Sequence, residues 1–354
     1  MTRGLKAYSV LKGRVVDMRQ GSGESPHFQV LVVDDTDRYR IAINVQSQDH
    51  SMVQYLVRTR FSHPICDQLH PLADGLHPGQ SRPGGLALDY IRGNLLQPSE
   101  MRPLPIVAPG PDNDLNEKIG QFVQRALADE KARVYAFGEK WGPEDKKRDR
   151  YFGFLPGRGI HDIHMNQGNP PGSHDDDNGV YQDGGLIFEF PTAGQWSAVF
   201  LKFQSQAWHT DDTTGDVLDL GGGGAPADKP VAPGVIPQHH VPTSDKPDGL
   251  IRIVAALVND TAAEERETVT LLNTSSQAID LAGWVLKDKE KKASPLTGAI
   301  GPGDTLRVLV QKPMSLSNKG GIITLLDERG VKVHGVSYTK AQASNPGLTL
   351  AFPE

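Results

Sequence analysis

The sequence lacks four features that would each have fixed its class. A single cysteine, Cys66, stands among 354 residues, so an intrachain disulfide framework is impossible and a reducing compartment is expected. No apolar run approaches the roughly 20 residues that a membrane helix requires. The N-terminal "MTRGLKAYSVLKGRVV" also lacks the apolar stretch of a secretory signal. Nor is positive charge in excess. A formal net charge of −6 argues against a generally cationic nucleic-acid binder, while leaving room for a local basic patch or a metal. These absences point to a cytoplasmic protein with no membrane span. The familiar catalytic signatures are missing too: no dinucleotide fingerprint, phosphate loop, G-x-S-x-G elbow, H-E-x-x-H helix or zinc-finger cysteine set.

What is present is turn chemistry. With 38 glycines and 26 prolines against 37% hydrophobic residues, the chain favours short strands over long helices, and its length favours two domains. The composition breaks after Thr213, where "GGGGAPADKPVAPGVIPQHHVPTSDKPDG" cannot form a core. The expected organisation is a domain over 1–215, a Gly/Pro linker over 216–248 and a second domain over 249–354. The linker pair His239 and His240 is expected to be solvated.

In the first domain, "SPHFQVLVVDD" sets Phe28, Val30 and Val32 against Gln29, Leu31 and Val33. Likewise "RYRIAINVQS" sets Ile41, Ile43 and Val45 against Arg40, Ala42, Asn44 and Gln46, which predicts a half-buried antiparallel sheet that "VQYLVRTRF" continues. Asp114 and Glu117 have capping-box spacing ahead of a stripe of Ile119, Phe122, Val123, Ala126 and Leu127, which predicts one covering helix. Further strand-like runs give a mainly β protein, with a mixed α+β, strand-rich first domain. In the second domain, "ETVTLLN", "QAIDLAGWVLKD", "DTLRVLVQ", "GGIITLLDERG" and "VKVHGVSY" alternate at roughly ten-residue spacing, as in a β-sandwich.

Two resemblances follow from longer motifs. "VTLLNTSSQAIDLAGWVLKD" with "LSNKGGIITLLDERGVKVHGVSY" resembles the lamin tail domain. That implies an immunoglobulin-like sandwich with buried Trp284, acting as a binding or tethering module without catalytic residues. "PGGLALDYIRGNL", "YAFGEKWGPE", "GIHDIHMNQGN", "DNGVYQDGGLIF" and "FQSQAWHTDDTTG" are similar to runs of the YukJ-like family of uncharacterised bacterial proteins, over about residues 1–215.

The candidate site lies in "GIHDIHMNQGNPPGSHDDDNGVYQDGG", Gly159 to Gly185, dense in histidine, aspartate and asparagine. As a strand, Asp162, His164 and Asn166 share one face and Ile163 and Met165 the other, with His161 at the entrance. His164 is a candidate base or ligand and Asp162 a candidate ligand. Asn166 and Gln167 offer amides to a phosphoryl or carbonyl oxygen. Asp175 and Asp177 could hold a hard cation, or form an ordinary solvated turn. His209, with Asp211 nearby, supplies a second ligand or acid–base group. Asp183 and Glu139 are a weaker carboxylate pair for a saccharide-active site. Cys66 in "HPIC" reads as a buried thiol. Together these suggest a divalent metal (Mg, Mn, Ca or Zn) assisting phosphodiester hydrolysis, a phosphodiesterase or nuclease acting on nucleic acid or a related diester, with the sandwich holding a protein or polymer partner. The rival reading is a non-catalytic binding protein whose acidic loop holds a structural cation.

Overall fold

The computed structural model describes residues 9–20, 27–45, 54–79, 93–104, 114–141, 145–166, 183–203, 249–261 and 266–352. It is strand-rich, as the composition predicts. In the N-terminal part the strands are β1 (Ser9–Gln20), β2 (His27–Val33), β3 (Arg38–Asn44), β4 (Gln54–Arg58), β5 (Gly75–Pro78), β6 (Arg102–Pro103), β7 (Arg133–Trp141), β8 (Ile160–Met165), β9 (Gly184–Phe190) and β10 (Gln195–Lys202). Helix α1 spans Ile65–Leu69 and α2 spans Asp114–Leu127.

Among the described residues, five of these strands close on themselves. β1 pairs with β2, β2 with β3, β3 with β8, β8 with β7, and β7 returns to β1. Four of the five pairings are antiparallel, and β3 with β8 is parallel. β1 closes the ring because it bends. Its first half, Ser9 to Gly13, runs along β7, and from Arg14 onward it pairs with β2, with a register irregularity between Val15 and Asp17. The strand order 1-2-3-8-7-1, with α2 between β3 and β7, is that of the five-stranded Greek-key barrels of the OB type. β9, β10, β4 and β6 extend the sheet outward from β7.

The period-2 pattern places its apolar phase inside. Phe28, Val30, Val32, Tyr39, Ile41, Ile43, Ile163 and Met165 share one core with the α2 residues Leu115, Ile119, Phe122, Val123 and Ala126. Leu127, expected in that stripe, is exposed because the helix ends there. A second apolar layer, Leu56, Phe61, Ile65, Leu69, Tyr135, Phe137 and Phe200, fills the opposite side of the extended sheet beneath α1. Cys66 lies in it as a buried thiol, pushed up to about 12 by desolvation. Lys12 Nζ donates to the carbonyls of His70 and Leu72 at 2.8 Å each, satisfying groups left open where α1 ends.

Three expectations need correction. β4 does not continue the β2–β3 hairpin. It pairs with β10 and β6, across a break in the chain's path. The sheet is not purely antiparallel, because β8 joins β3 in parallel. It is also not half-buried there: Gln29, Ala42 and Asn44, on the outer phase, are as buried as the inner one.

In the C-terminal part the strands are β11 (Ile251–Leu257), β12 (Thr268–Asn273), β13 (Ile279–Asp280), β14 (Val285–Lys287), β15 (Ala293–Pro295), β16 (Ala299–Ile300), β17 (Thr305–Leu309), β18 (Gly320–Leu326), β19 (Lys332–Thr339) and β20 (Thr349–Ala351). Two four-stranded sheets, ordered β17-β12-β11-β20 and β15-β14-β18-β19, line one core of Ile253, Val269, Leu271, Trp284, Leu286, Ile323, Leu325 and Tyr338. A segment of the N-terminal part reaches this unit. Asn94, buried and at φ 51°, directs its Nδ2 to the carbonyls of Ile323 (3.1 Å) and Val336 (3.2 Å) and to Thr324 Oγ1 (3.2 Å). Gln97 Nε2 donates to the Gly335 carbonyl. The proposed linker, residues 216–248, lies outside the described residues, as do His239 and His240.

Candidate functional site

The run "AFGEKW" explains how β8 reaches its place. A Cβ on Gly138 would lie 2.9 Å from both the His164 carbonyl oxygen and Ile163 Cγ2, so only glycine lets β8 close against β7 there. Gly184 plays the same part beside Met165, where a Cβ would lie 2.5 Å from both Met165 Cγ and the Phe137 carbonyl oxygen. With β8 seated, Ala42 faces His164 across the parallel pair, and Glu139 faces it across the antiparallel pair.

The alternation read from the sequence holds on β8. Ile163 and Met165 enter the core, while His164 and Asn166 take the outer phase, only 6% and 3% exposed. There they meet two residues that the motif analysis did not single out. Asn44 ends β3, 1% exposed, and its Nδ2 donates to Asn166 Oδ1 at 2.9 Å. His27 opens β2, opposite Asn44 in register, and its ring lies 5.4 Å from that of His164, centroid to centroid, tilted by 36°. Two imidazoles and two amides therefore gather where parallel β3 and β8 both end. His27 was legible only as a polar position in phase with Gln29; nothing in its own neighbourhood marked it.

The other candidates fall into two groups. The backbones of His161, Asp162 and Glu139 lie in β8 and β7, but their side chains are outside the description. Gln167, Asp175, Asp177, His209 and Asp211 lie outside the described residues altogether. By sequence, the first three follow β8 and the last two follow β10. Among the described residues, no three of His, Cys, Asp and Glu are grouped to hold a metal ion. Asp183 is corrected. It is fully buried at the start of β9 and accepts the backbone N–H of Phe203 at the end of β10, so it ties two strands together instead of facing a cleft.

The start of the same outer face has a different chemistry. In the β7–β8 connection, Asp149 accepts the N–H groups of Tyr151 (3.0 Å), Phe152 (2.5 Å) and Gly153 (3.2 Å), and its own N–H donates to the Phe154 carbonyl. This tight turn presents its rings to arginines on the strands. Arg40 lies 5.1 Å from Tyr151, Arg38 lies 4.9 Å from Phe154 and Arg19 lies 6.0 Å from Phe152, each measured to the ring centroid. Arg40 also pairs with Asp149 at 3.2 Å.

Barrel and cluster together define a mainly β protein whose polar site sits at the carboxyl ends of a parallel strand pair. The chain belongs to the family described as "Uncharacterized conserved protein (DUF2278)", whose model matches residues 3–215. It is 45% identical over 219 residues to "Uncharacterized protein YukJ" of Bacillus subtilis (strain 168), an alignment covering 61% of this chain and 96% of that protein. No solved structure matches the chain. Among the described residues, no helix is long and apolar enough to cross a membrane.

Proposed function

We propose that the N-terminal barrel is a metal-assisted phosphodiesterase or nuclease of the cytoplasm, centred on His27 and His164, with the C-terminal two-sheet unit as its tether. The observation that carries this reading is the pairing of two imidazoles with two neutral amides at the ends of β3 and β8. Two imidazoles this close, His27 and His164, would be the residues to hold a divalent ion between them. Asp162, the next outer-phase position on β8, or the acidic runs following β8 and β10 would complete the ligand set. A cation there would polarise the phosphoryl group and acidify a bound water. If only one of His27 and His164 held the ion, the other would be placed to accept a proton from such a water. Asn44 and Asn166 donate amide hydrogens to a non-bridging oxygen, which carries more charge in the transition state than before it. The resemblance to the lamin tail domain supports the tethering role of residues 249–354.

A second reading has an observation of its own. The Asn44–Asn166 hydrogen bond joins strands 122 residues apart, as a purely structural lock would, and then the barrel binds without catalysis. Turnover separates the two. The full chain with Mg²⁺, Mn²⁺, Ca²⁺ or Zn²⁺ should hydrolyse bis-p-nitrophenyl phosphate or an oligonucleotide, and EDTA should stop it. His164→Gln and His27→Gln, which keep volume and polarity, should lower kcat by roughly 10²–10⁴-fold with the melting temperature nearly unchanged. No metal-dependent turnover on any diester, or equal turnover in His164→Gln, hands the site to the structural reading.

A further inference from the structure

We infer that the β7–β8 connection is a binding arm for single-stranded nucleic acid. Over residues 145–158 the chain carries Lys146, Lys147, Arg148, Arg150 and Arg158 against Asp145 and Asp149. All five cations are exposed, whereas Asp149 is buried and already paired with Arg40. A chain of net charge −6 thus concentrates positive charge on one surface feature. A polyanion would bind there by releasing the counterions of its phosphates.

Rings interleave with the charges. Tyr151 and Phe152 are half-buried, each set against an arginine, and Arg150 lies 6.0 Å from the Tyr151 centroid. Cationic side chains alternating with partly open aromatic rings form the surface on which unpaired bases stack, and stacking tolerates any sequence. An acidic peptide or an anionic membrane would be met by the charges, whereas bases also stack on the rings. The scaffold points the same way: barrels of this strand order bind oligonucleotides through the β2–β3 face and the adjoining loops, among them the connection between the fourth and fifth strands, which here is the arm.

One end of the arm borders the β2–β3 turn, where the exposed Asp35 and Asp37 repel phosphate, so a bound strand lies on the side of the arm away from that turn. Naming this polymer as the substrate rests on the hydrolase reading; its binding does not.

The test is fluorescence anisotropy of the full chain with a labelled 15-nucleotide oligo-dT, in EDTA so that binding is read without cleavage. Affinity should fall steeply with salt. The triple variant Lys146→Ala, Lys147→Ala, Arg150→Ala should lose at least tenfold at low salt, and its log–log salt slope should be shallower by about 2, the share of three phosphate contacts on a single strand. Tyr151→Ala should lose roughly tenfold with the salt slope unchanged, and Tyr151→Phe should bind like the wild type, since it keeps the ring. Binding unaltered in the triple variant, or equal affinity for polyglutamate or for vesicles of anionic lipid, overturns the inference. A wild type that binds oligo-dT but hydrolyses no diester overturns the hydrolase reading alone. One that hydrolyses a small diester but does not bind oligo-dT overturns the arm alone.

Discussion

Asn94 offers the sharpest test of how the two parts of the chain are held together. Its amide is buried between β18 and β19 and meets three acceptors at 3.1–3.2 Å, and its backbone sits at φ 51°, which asparagine tolerates better than alanine. Losing these bonds costs about 2 kcal/mol, at roughly 1 kcal/mol net for each bond that an amide with two hydrogens can make. The left-handed backbone adds about 1 kcal/mol for alanine. Asn94→Ala should therefore destabilise by about 3 kcal/mol, and Asn94→Gly, free of the backbone penalty, by about 2 kcal/mol. Gly335 supplies the partner for a cycle. A Cβ there would lie 2.2 Å from Asn94 Oδ1 and 2.5 Å from its Cγ, so Gly335→Ala must expel the amide. Alone it should cost about as much as Asn94→Ala, but in the Asn94→Ala background the clashing atoms are gone and it should cost little. The interaction energy in urea unfolding should then be about 2–3 kcal/mol, far from additivity. Additive costs would show that the amide does not occupy the slot, and would refute the reasoning.

Two further predictions concern acid and the linker. His63 and His334 are each lowered to about 4, mainly by burial. His63 is held neutral, with Nε2 2.8 Å from the Gly93 carbonyl and Nδ1 accepting the Ile65 N–H. Between about pH 6.5 and 4 the unfolded chain binds these protons and the folded one does not, so stability is full above that window and falls as pH drops through it. The His63 share is at most about 3 kcal/mol. Urea midpoints at pH 7 and pH 5 should differ in the wild type and differ less in His63→Gln; a flat wild-type profile contradicts the assignment. Limited proteolysis should cut within Gly221–Asp248, as the Gly/Pro composition implies. The two fragments should nevertheless co-elute in gel filtration because Asn94 and Gln97 bridge them, and Asn94→Ala should separate them. Fragments that separate without the substitution would show that the bridge is too weak to matter.

What could be read from the sequence was local. The strands β2 and β3 announce themselves because alternation at period 2 is visible within seven residues, and β8 does so through Ile163 and Met165 opposite His164 and Asn166. What could not be read was which strand lies beside which. The parallel pairing of β3 with β8 joins residues some 120 apart, and it alone brings Asn44 to Asn166 and His27 to His164. The partner of β4 is hidden for the same reason, since β10 lies some 140 residues further along the chain. Asp183 shows the converse. Before two glycines in an acidic stretch it resembles a reactive carboxylate, and only the fold reveals that its partner is the Phe203 N–H. The arm is not legible locally, because the meaning of "KKRDRYFGF" depends on Arg19, Arg38 and Arg40, which arrive from other strands.

The composition of the buried outer face is itself an argument. On the inner phase of the same strands, Phe28, Ile43 and Met165 are fully buried, which is the ordinary solution for strands covered on both sides. One residue further along each strand, at equal burial, stand Gln29, Asn44 and Asn166. Burying an amide costs about 1–3 kcal/mol unless its hydrogen bonds are made, so apolar residues of similar size would hold β3 to β8 at least as well. A lock needing only stability gains nothing from asparagine here. Amides and imidazoles do gain something if the face must recognise oxygen and nitrogen atoms of a ligand, or must fix one register among several for the parallel pair. Register alone would require polar atoms at a single pair, Asn44 with Asn166. The adjoining His27–His164 contact is a second polar pair that register does not need. That surplus is what supports the proposed site at this end of the barrel.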